Sequence, residues 1–244
     1  MAEAVVDPRR RVVQEGLISK SLTAIAKIIQ WLLLSLLFSI IIEWAGMVLW
    51  WPDEGLDHSR TMLATEISYL DNDFRRSVVT SDPAQFAKRF ADNTYHYLFE
   101  VTRFVDFIHW VSPSPTMNEK GLRPKLHKIF HPIAEFVIAM MQVTQVFSVR
   151  LAILTLAMPI FLLFSLVALV DGLVQRDLRR WGGGRESSFV YHYAKKAAFP
   201  IVVLSWVIYL ALPFSLHPTF VVVPFATLFA LTVVVTASTF KKYL

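Results

Sequence analysis

The stretch "LHKIFHPIAE" sets His127, His131 and Glu135 four residues apart, the step that stacks side chains on one face of a helix. Two imidazoles and a carboxylate so arranged could ligate a zinc ion. Pro132 works against that reading. It offers no N–H to the Lys128 carbonyl and its ring clashes there, so the two histidines need not share a helix. A second candidate is "GGGRESS", Gly182–Ser188, because successive backbone N–H groups at a glycine-rich helix start bind phosphate. The phosphate-loop pattern requires a lysine just before the Ser/Thr and a strand ahead of the loop. Here Glu186 takes the lysine position and no strand precedes it, so a flexible turn with Ser187 or Ser188 capping the next helix is the better account. The third candidate is Glu43, the single acidic residue inside an apolar run. A carboxylate at the bilayer centre costs about 2.5–3.5 kcal/mol on insertion scales and is a suspect for ion or proton traffic. A coupled transporter usually carries several such groups, so a structural partner, at the outer interface or at Arg150, is expected instead. No Ser–His–Asp arrangement, paired-carboxylate site or dinucleotide fingerprint stands out, and no cofactor is implied.

Whatever these side chains do, long apolar segments must position them. Of the 244 residues 55% are hydrophobic and 18% charged, with a mean hydropathy of +0.49. A soluble domain has about 45–50% apolar and about 25% charged residues, so the balance points to a membrane. The absence of cysteine removes disulfides, thiolate metal sites and cysteine nucleophiles. The first apolar run, 28–51, is long enough to span, with Trp44, Trp50 and Trp51 towards its end and Pro52 stopping it. Its length and the lack of a small-residue cleavage site make it an uncleaved anchor rather than a signal peptide. A second run covers 150–171, with Pro159 kinking rather than breaking it. The third and fourth, 199–216 and 219–240, are separated by His217 and Pro218 alone, a tight turn that makes them an antiparallel pair. Ala226 and Ala230 are a weak sign of close helix packing in the last.

Lysine and arginine mark the cytoplasmic flanks of membrane proteins. The tail 1–27 carries Arg9, Arg10, Arg11, Lys20 and Lys27; the loop 172–198 carries Arg176, Arg179, Arg180, Arg185, Lys195 and Lys196; and 241–244 carries Lys241 and Lys242. Four spans place all three on one side. Parity and charge agree, so both termini are expected in the cytoplasm. Beside a bilayer, these basic clusters suit orientation and anionic lipid better than sequence-specific nucleic-acid binding.

The segment 52–149 then lies outside, and its sequence is helical. Leu56, Leu63, Ile67, Leu70 and Phe74 recur at three- and four-residue steps. Asp82, Pro83 and Gln85 form a helix-start signal, a cap with proline first and a capping box. Phe86, Phe90, Tyr97, Val101, Phe104 and Ile108 continue as a single apolar stripe, and Ser112–Pro124 is a loop. A further helix starting near Pro132 should run without interruption into the second span, since 133–170 hold no glycine and one proline.

"RRWGGGRESSFVYHYAKK", preceded by "LVALVDGLVQRDLR", together with "EWAGMVLWWP", resembles a family of bacterial inner-membrane proteins encoded in integrating conjugative elements and conjugative plasmids. The resemblance runs from the first span to the last. It implies a non-enzymatic component or accessory of a conjugative DNA-transfer machine using a type IV secretion apparatus, with other membrane subunits as partners. It carries over no catalytic residue, and it nominates Gly184, Arg185, Glu186, Ser187, Ser188, Tyr191, His192, Lys195 and Lys196 as a cytoplasmic partner-binding motif. The resulting expectation is an all-α integral membrane protein of the inner membrane. It has four transmembrane helices and a helical periplasmic domain between spans 1 and 2, and is compatible with a homo-oligomer. A small transporter or channel using Glu43 is the alternative, and a membrane enzyme with a His127/His131/Glu135 metal the third reading. Reporter enzymes fused at either tail should be active only in the cytoplasm, and one fused near residue 100 only outside it. The reverse pattern would overturn this topology.

Overall fold

The described residues, 17–73, 82–113, 122–183 and 188–240 of a computed structural model, form helices and their connections, with no strand among them. The chain order is α1 (Leu17–Leu49), α2 (Leu56–Asp73), α3 (Pro83–Tyr95), α4 (Phe104–Val111), α5 (Leu122–Phe130), α6 (Ala134–Trp181), α7 (Ser188–Ala211) and α8 (Thr219–Thr239). Four helices are long and apolar enough to cross a membrane: Ile25–Leu49, part of Leu122–Trp181, Phe189–Ala211 and Thr219–Thr239.

The axis of the molecule is α6. Its 48 residues at ~1.5 Å each make a rod of roughly 72 Å, well beyond a ~30 Å hydrocarbon core. Pro159 lies inside it without ending it, and a short 3₁₀ turn, His131–Ile133, precedes it. Its C-terminal half packs on α8. There Ala157 and Phe161 meet Val222 and Ala226, so Ala226 is a packing residue, as its small side chain suggests. The closer approach is at Gly172, where a Cβ would lie 2.7 Å from the Ala237 Cβ and 2.8 Å from the Val234 carbonyl oxygen. Small residues let helix backbones meet where lipid gives no hydrophobic drive to association. The N-terminal half of α6 carries the other helices. Ala87 and Ala91 of α3 join Phe147, Val149 and Ile153 in one apolar cluster, with Leu63 and Ile67 of α2 against it. Phe99, Ile108, Val111, Phe130 and Met141 form a second cluster above.

Several boundaries differ from those read along the sequence, each for a local reason. The helix containing the first run begins by Leu17, well before residue 28, and ends at Leu49. Within the basic segment 172–198, α6 continues to Trp181 because arginine and lysine are good helix formers, while α7 starts at Ser188, where the next helix was expected. The third apolar run ends at Ala211 rather than 216. Leu212 precedes Pro213, which biases it away from helix and denies the last turn a donor, so the connection to α8 spans 212–218 instead of two residues. The single stripe expected from Phe86 to Ile108 is interrupted. Residues His96–Glu100 form a π turn, and Arg103 takes a left-handed conformation (φ 57°). The wider turn rotates the face, leaving Tyr97 and Val101 exposed and burying Phe99. The start of α3 follows expectation, with Pro83 in the first turn and the Asp82 carboxylate accepting from the Gln85 N–H at 3.0 Å. Leu63 and Ile67 face the core, while the side chain of Leu70 and residue Phe74 fall outside the described residues.

Replacing Gly172 by Leu should force α6 and α8 apart and destabilise the protein by about 1–3 kcal/mol, the usual range for overpacking. A thermal melt in detergent measures this, and an unchanged melting temperature would refute the close approach.

Candidate functional site

Charged groups inside the molecule gather at two junctions where α2 is fastened to the long helices. At the first, Arg150 of α6 and Glu66 of α2 are 1% and 0% exposed and lie 2.8 Å apart. The guanidinium has five donors, and all are used. Nε donates to the Glu66 carboxylate at 2.9 Å, Nη1 to the Tyr209 and Leu212 carbonyls at 3.3 and 2.5 Å, and Nη2 to the Phe214 carbonyl at 2.8 Å as well as to Glu66. The Met62 sulfur lies 3.6 Å from Nη2, and the Tyr209 hydroxyl donates to the other Glu66 oxygen at 3.1 Å. Burial pushes the Glu66 carboxyl above the ordinary carboxylate range, while Arg150 and the Tyr209 hydroxyl pull it down. Tyr209 lies in the last turn of α7, where carbonyls lack helical partners, and Leu212 and Phe214 lie in the connection beyond it, so one donating side chain closes the α7–α8 turn and seats α2. Ser215 reinforces it by donating to the Met62 carbonyl at 3.2 Å.

The second junction joins α1 to α2. Glu43, 1% exposed, lies 3.0 Å from Nδ1 of His58, and the Trp51 ring stacks on the His58 ring at 4.0 Å. Gly46 makes room for that indole, since a Cβ there would fall inside it, 1.9 Å from Cζ2. Nearby, Nε1 of Trp44 donates to the Phe136 carbonyl at 2.8 Å and Ser59 donates to Gln142 at 2.6 Å, each fixing an N-terminal element to α6. Glu43 has a structural partner, as expected, but of the two alternatives the Arg150 pairing is not formed. Arg150 pairs with Glu66, which lies on the same apolar face of α2 as Leu63 and Ile67, and Glu43 pairs with His58 beyond the tryptophan turn.

The other sequence candidates separate. His127 Nδ1 is 2.8 Å from the Val111 carbonyl and its ring meets His131 edge-on at 5.6 Å, the helix breaking at Phe130 ahead of Pro132. Among the described residues no group of three His, Asp or Glu side chains is placed to hold a metal ion. Gly184, Arg185, Glu186 and Ser187 lie outside the described residues, and Ser188 is described only as the first residue of α7. The rest of that motif is on α7. Tyr191 is buried against Phe240, whereas His192, Lys195 and Lys196 are exposed. The Glu66–Tyr209 half of the first junction escaped sequence reading. Its one signal was an acidic residue on an apolar helix face, Glu66 between Leu63 and Ile67. Grooves along the long helices are walled by apolar side chains, Leu163, Val167 and Leu231 in one and Leu34, Phe38 and Val207 in another, suited to lipid chains or further helices.

These features define an all-helical protein of membrane-crossing build whose buried charges join helix to helix. Residues 50–241 match the family described as IncC plasmid conjugative DNA transfer protein DtrJ-like. The chain belongs to this DtrJ-like family, and its role is accordingly in plasmid conjugative DNA transfer. No curated protein and no solved structure matches it. The Arg150–Glu66–Tyr209 junction falls inside the matched region, while Glu43 and the whole of α1 precede it.

Breaking a buried pair from one side leaves an uncompensated charge and costs about 3–5 kcal/mol. Arg150→Met and Glu66→Gln should each destabilise by that amount in detergent unfolding, and the double variant by clearly less than their sum. Additive losses would show that the two groups act independently.

Proposed function

We propose that the chain is a non-enzymatic inner-membrane component or accessory of a conjugative DNA-transfer apparatus of the type IV secretion class, carried by a plasmid or an integrating conjugative element. Both termini and the 182–187 connector lie in the cytoplasm, and residues 52–149 form a helical periplasmic domain. The observation that carries this reading is the family match over residues 50–241, joined to the four bilayer-length helices. The basic residues fall at the connector end of α6 and α7, as a cytoplasmic flank requires. The buried charged groups support a scaffold, because Glu43, Glu66 and Arg150 each have an internal partner. A transporter or channel using Glu43 is less well supported, since that carboxylate is held by His58 under the Trp51 ring. Other membrane subunits of the machine are the partners. The exposed side chains Tyr97, Phe107 and Trp110 on the outer helices, and the 184–196 motif on the other side, are the surfaces offered to them.

Alanine replacement of Arg185 through Ser188 should abolish mating while the protein still inserts in the membrane at normal abundance. Unchanged transfer frequency would remove the motif from the mechanism. Loss of transfer restored only by the intact motif, together with co-purification of other transfer subunits, would support the docking role.

A further inference from the structure

At the connector end of the bundle three helices bring together four side chains that neither junction uses. Arg176 of α6 sets its guanidinium 5.4 Å from the centre of the Phe240 ring, at the end of α8. Lys195 of α7 sets its ammonium 5.8 Å from the centre of the Tyr191 ring, and the two rings are 5.9 Å apart. The result is a floor of two aromatic rings with one cation over each. Tyr191 is buried and Phe240 is partly open, so the floor is fixed by packing while its edge remains accessible. Among the described residues neither cation has a carboxylate at ion-pair distance. The nearest acidic groups on α6 are turned to their own helix, Asp171 accepting from Gln175 at 2.8 Å and Asp177 lying 4.0 Å from Arg180.

The surroundings decide what such a pair of cations would hold. Lys195 sits one turn further into the bundle than Tyr191, and its stem folds back along the helix to bring the charge beside that ring, as lysines do near a bilayer edge. Beyond this level the helix faces are apolar and exposed, with Leu173 and Val174 on α6 and Phe199 on α7. Charge at one level and bare hydrocarbon surface next to it is the pattern of a phospholipid, whose phosphodiester meets the cations while its chains lie along the helices. We propose that Arg176 and Lys195, over the Tyr191–Phe240 floor, bind the headgroup of an anionic phospholipid. The proposal rests on the reading that α6, α7 and α8 cross a bilayer.

The full chain in nanodiscs of phosphatidylcholine with a minority of phosphatidylglycerol tests it, native mass spectrometry counting the lipids retained on release. A basic residue near an anionic surface is worth about fivefold in binding. Phosphatidylglycerol should therefore be enriched on the wild-type protein by roughly tenfold or more over the disc composition. The Arg176→Gln/Lys195→Gln variant should return to the disc ratio. Arg176→Lys, which keeps the charge, should hold most of the enrichment, and Lys88→Gln, a control on the surface of α3, should keep all of it. Matching melting temperatures show that the variants are folded. Enrichment absent from the wild type, or persisting in the double variant, would overturn the site. So would its removal by excess inorganic phosphate, which would assign the cations to the free ion. A chain that never enters the discs would overturn the membrane reading and this proposal together, whereas one that enters without selecting lipid overturns this proposal alone.

Discussion

A guanidinium shut away from water must have every N–H answered, and Arg150 meets that demand by reaching into two other parts of the chain. Its acceptors are a carboxylate on α2, the Tyr209 carbonyl that Pro213 leaves without a donor, and the Leu212 and Phe214 carbonyls of the turn beyond α7. The seat of α2 on α6 and the course of the α7–α8 turn are therefore one problem with one solution. Hydrophobic packing alone could slide these helices past one another at little cost. A forked, fully occupied donor set cannot slide, so it selects one register.

The large features were legible in the amino-acid sequence because they depend on composition over long windows. Four bilayer-length apolar helices follow from runs such as Leu151–Val170, and the uninterrupted passage from the outer helix into the second run follows from the missing glycines. The cap at Asp82 was legible because it needs only neighbouring residues. What could not be read depends on residues far apart in the chain. Arg150 meets Glu66 across 84 positions and Tyr209 across 59, and no local rule pairs them. Glu43 looked like an isolated intramembrane charge because His58 lies beyond a tryptophan-rich turn that ends the run. The turn of Trp51 back over Gly46, which seats that histidine, is a matter of shape rather than pattern. The π turn at His96 was invisible for a related reason. Its sequence continues the helical stripe, and only the packing of Phe99 into its cluster shows where the extra residue was inserted.

Membership of the DtrJ-like family gives these details a setting in conjugative DNA transfer. The buried charged groups lie towards the α2 end of the bundle, and Arg176 and Lys195 lie at the other, with mainly apolar contacts between. Such a division separates what holds the fold from what is left to meet a surface. Among the described residues, Glu43, Glu66 and Arg150 are held by internal partners, while Arg176 and Lys195 face the aromatic rings at the connector end.

The continuous course of α6 has a mechanical consequence. Between its N-terminal tip and its basic end the helix is continuous, with one proline inside it. A body of roughly 72 Å behaves as a lever, and pivoting it by about 5° displaces one extremity by roughly 6 Å relative to the other. Displacement of the tip that carries α3 would thus be felt at the arginines of the opposite end, some of it taken up at Pro159.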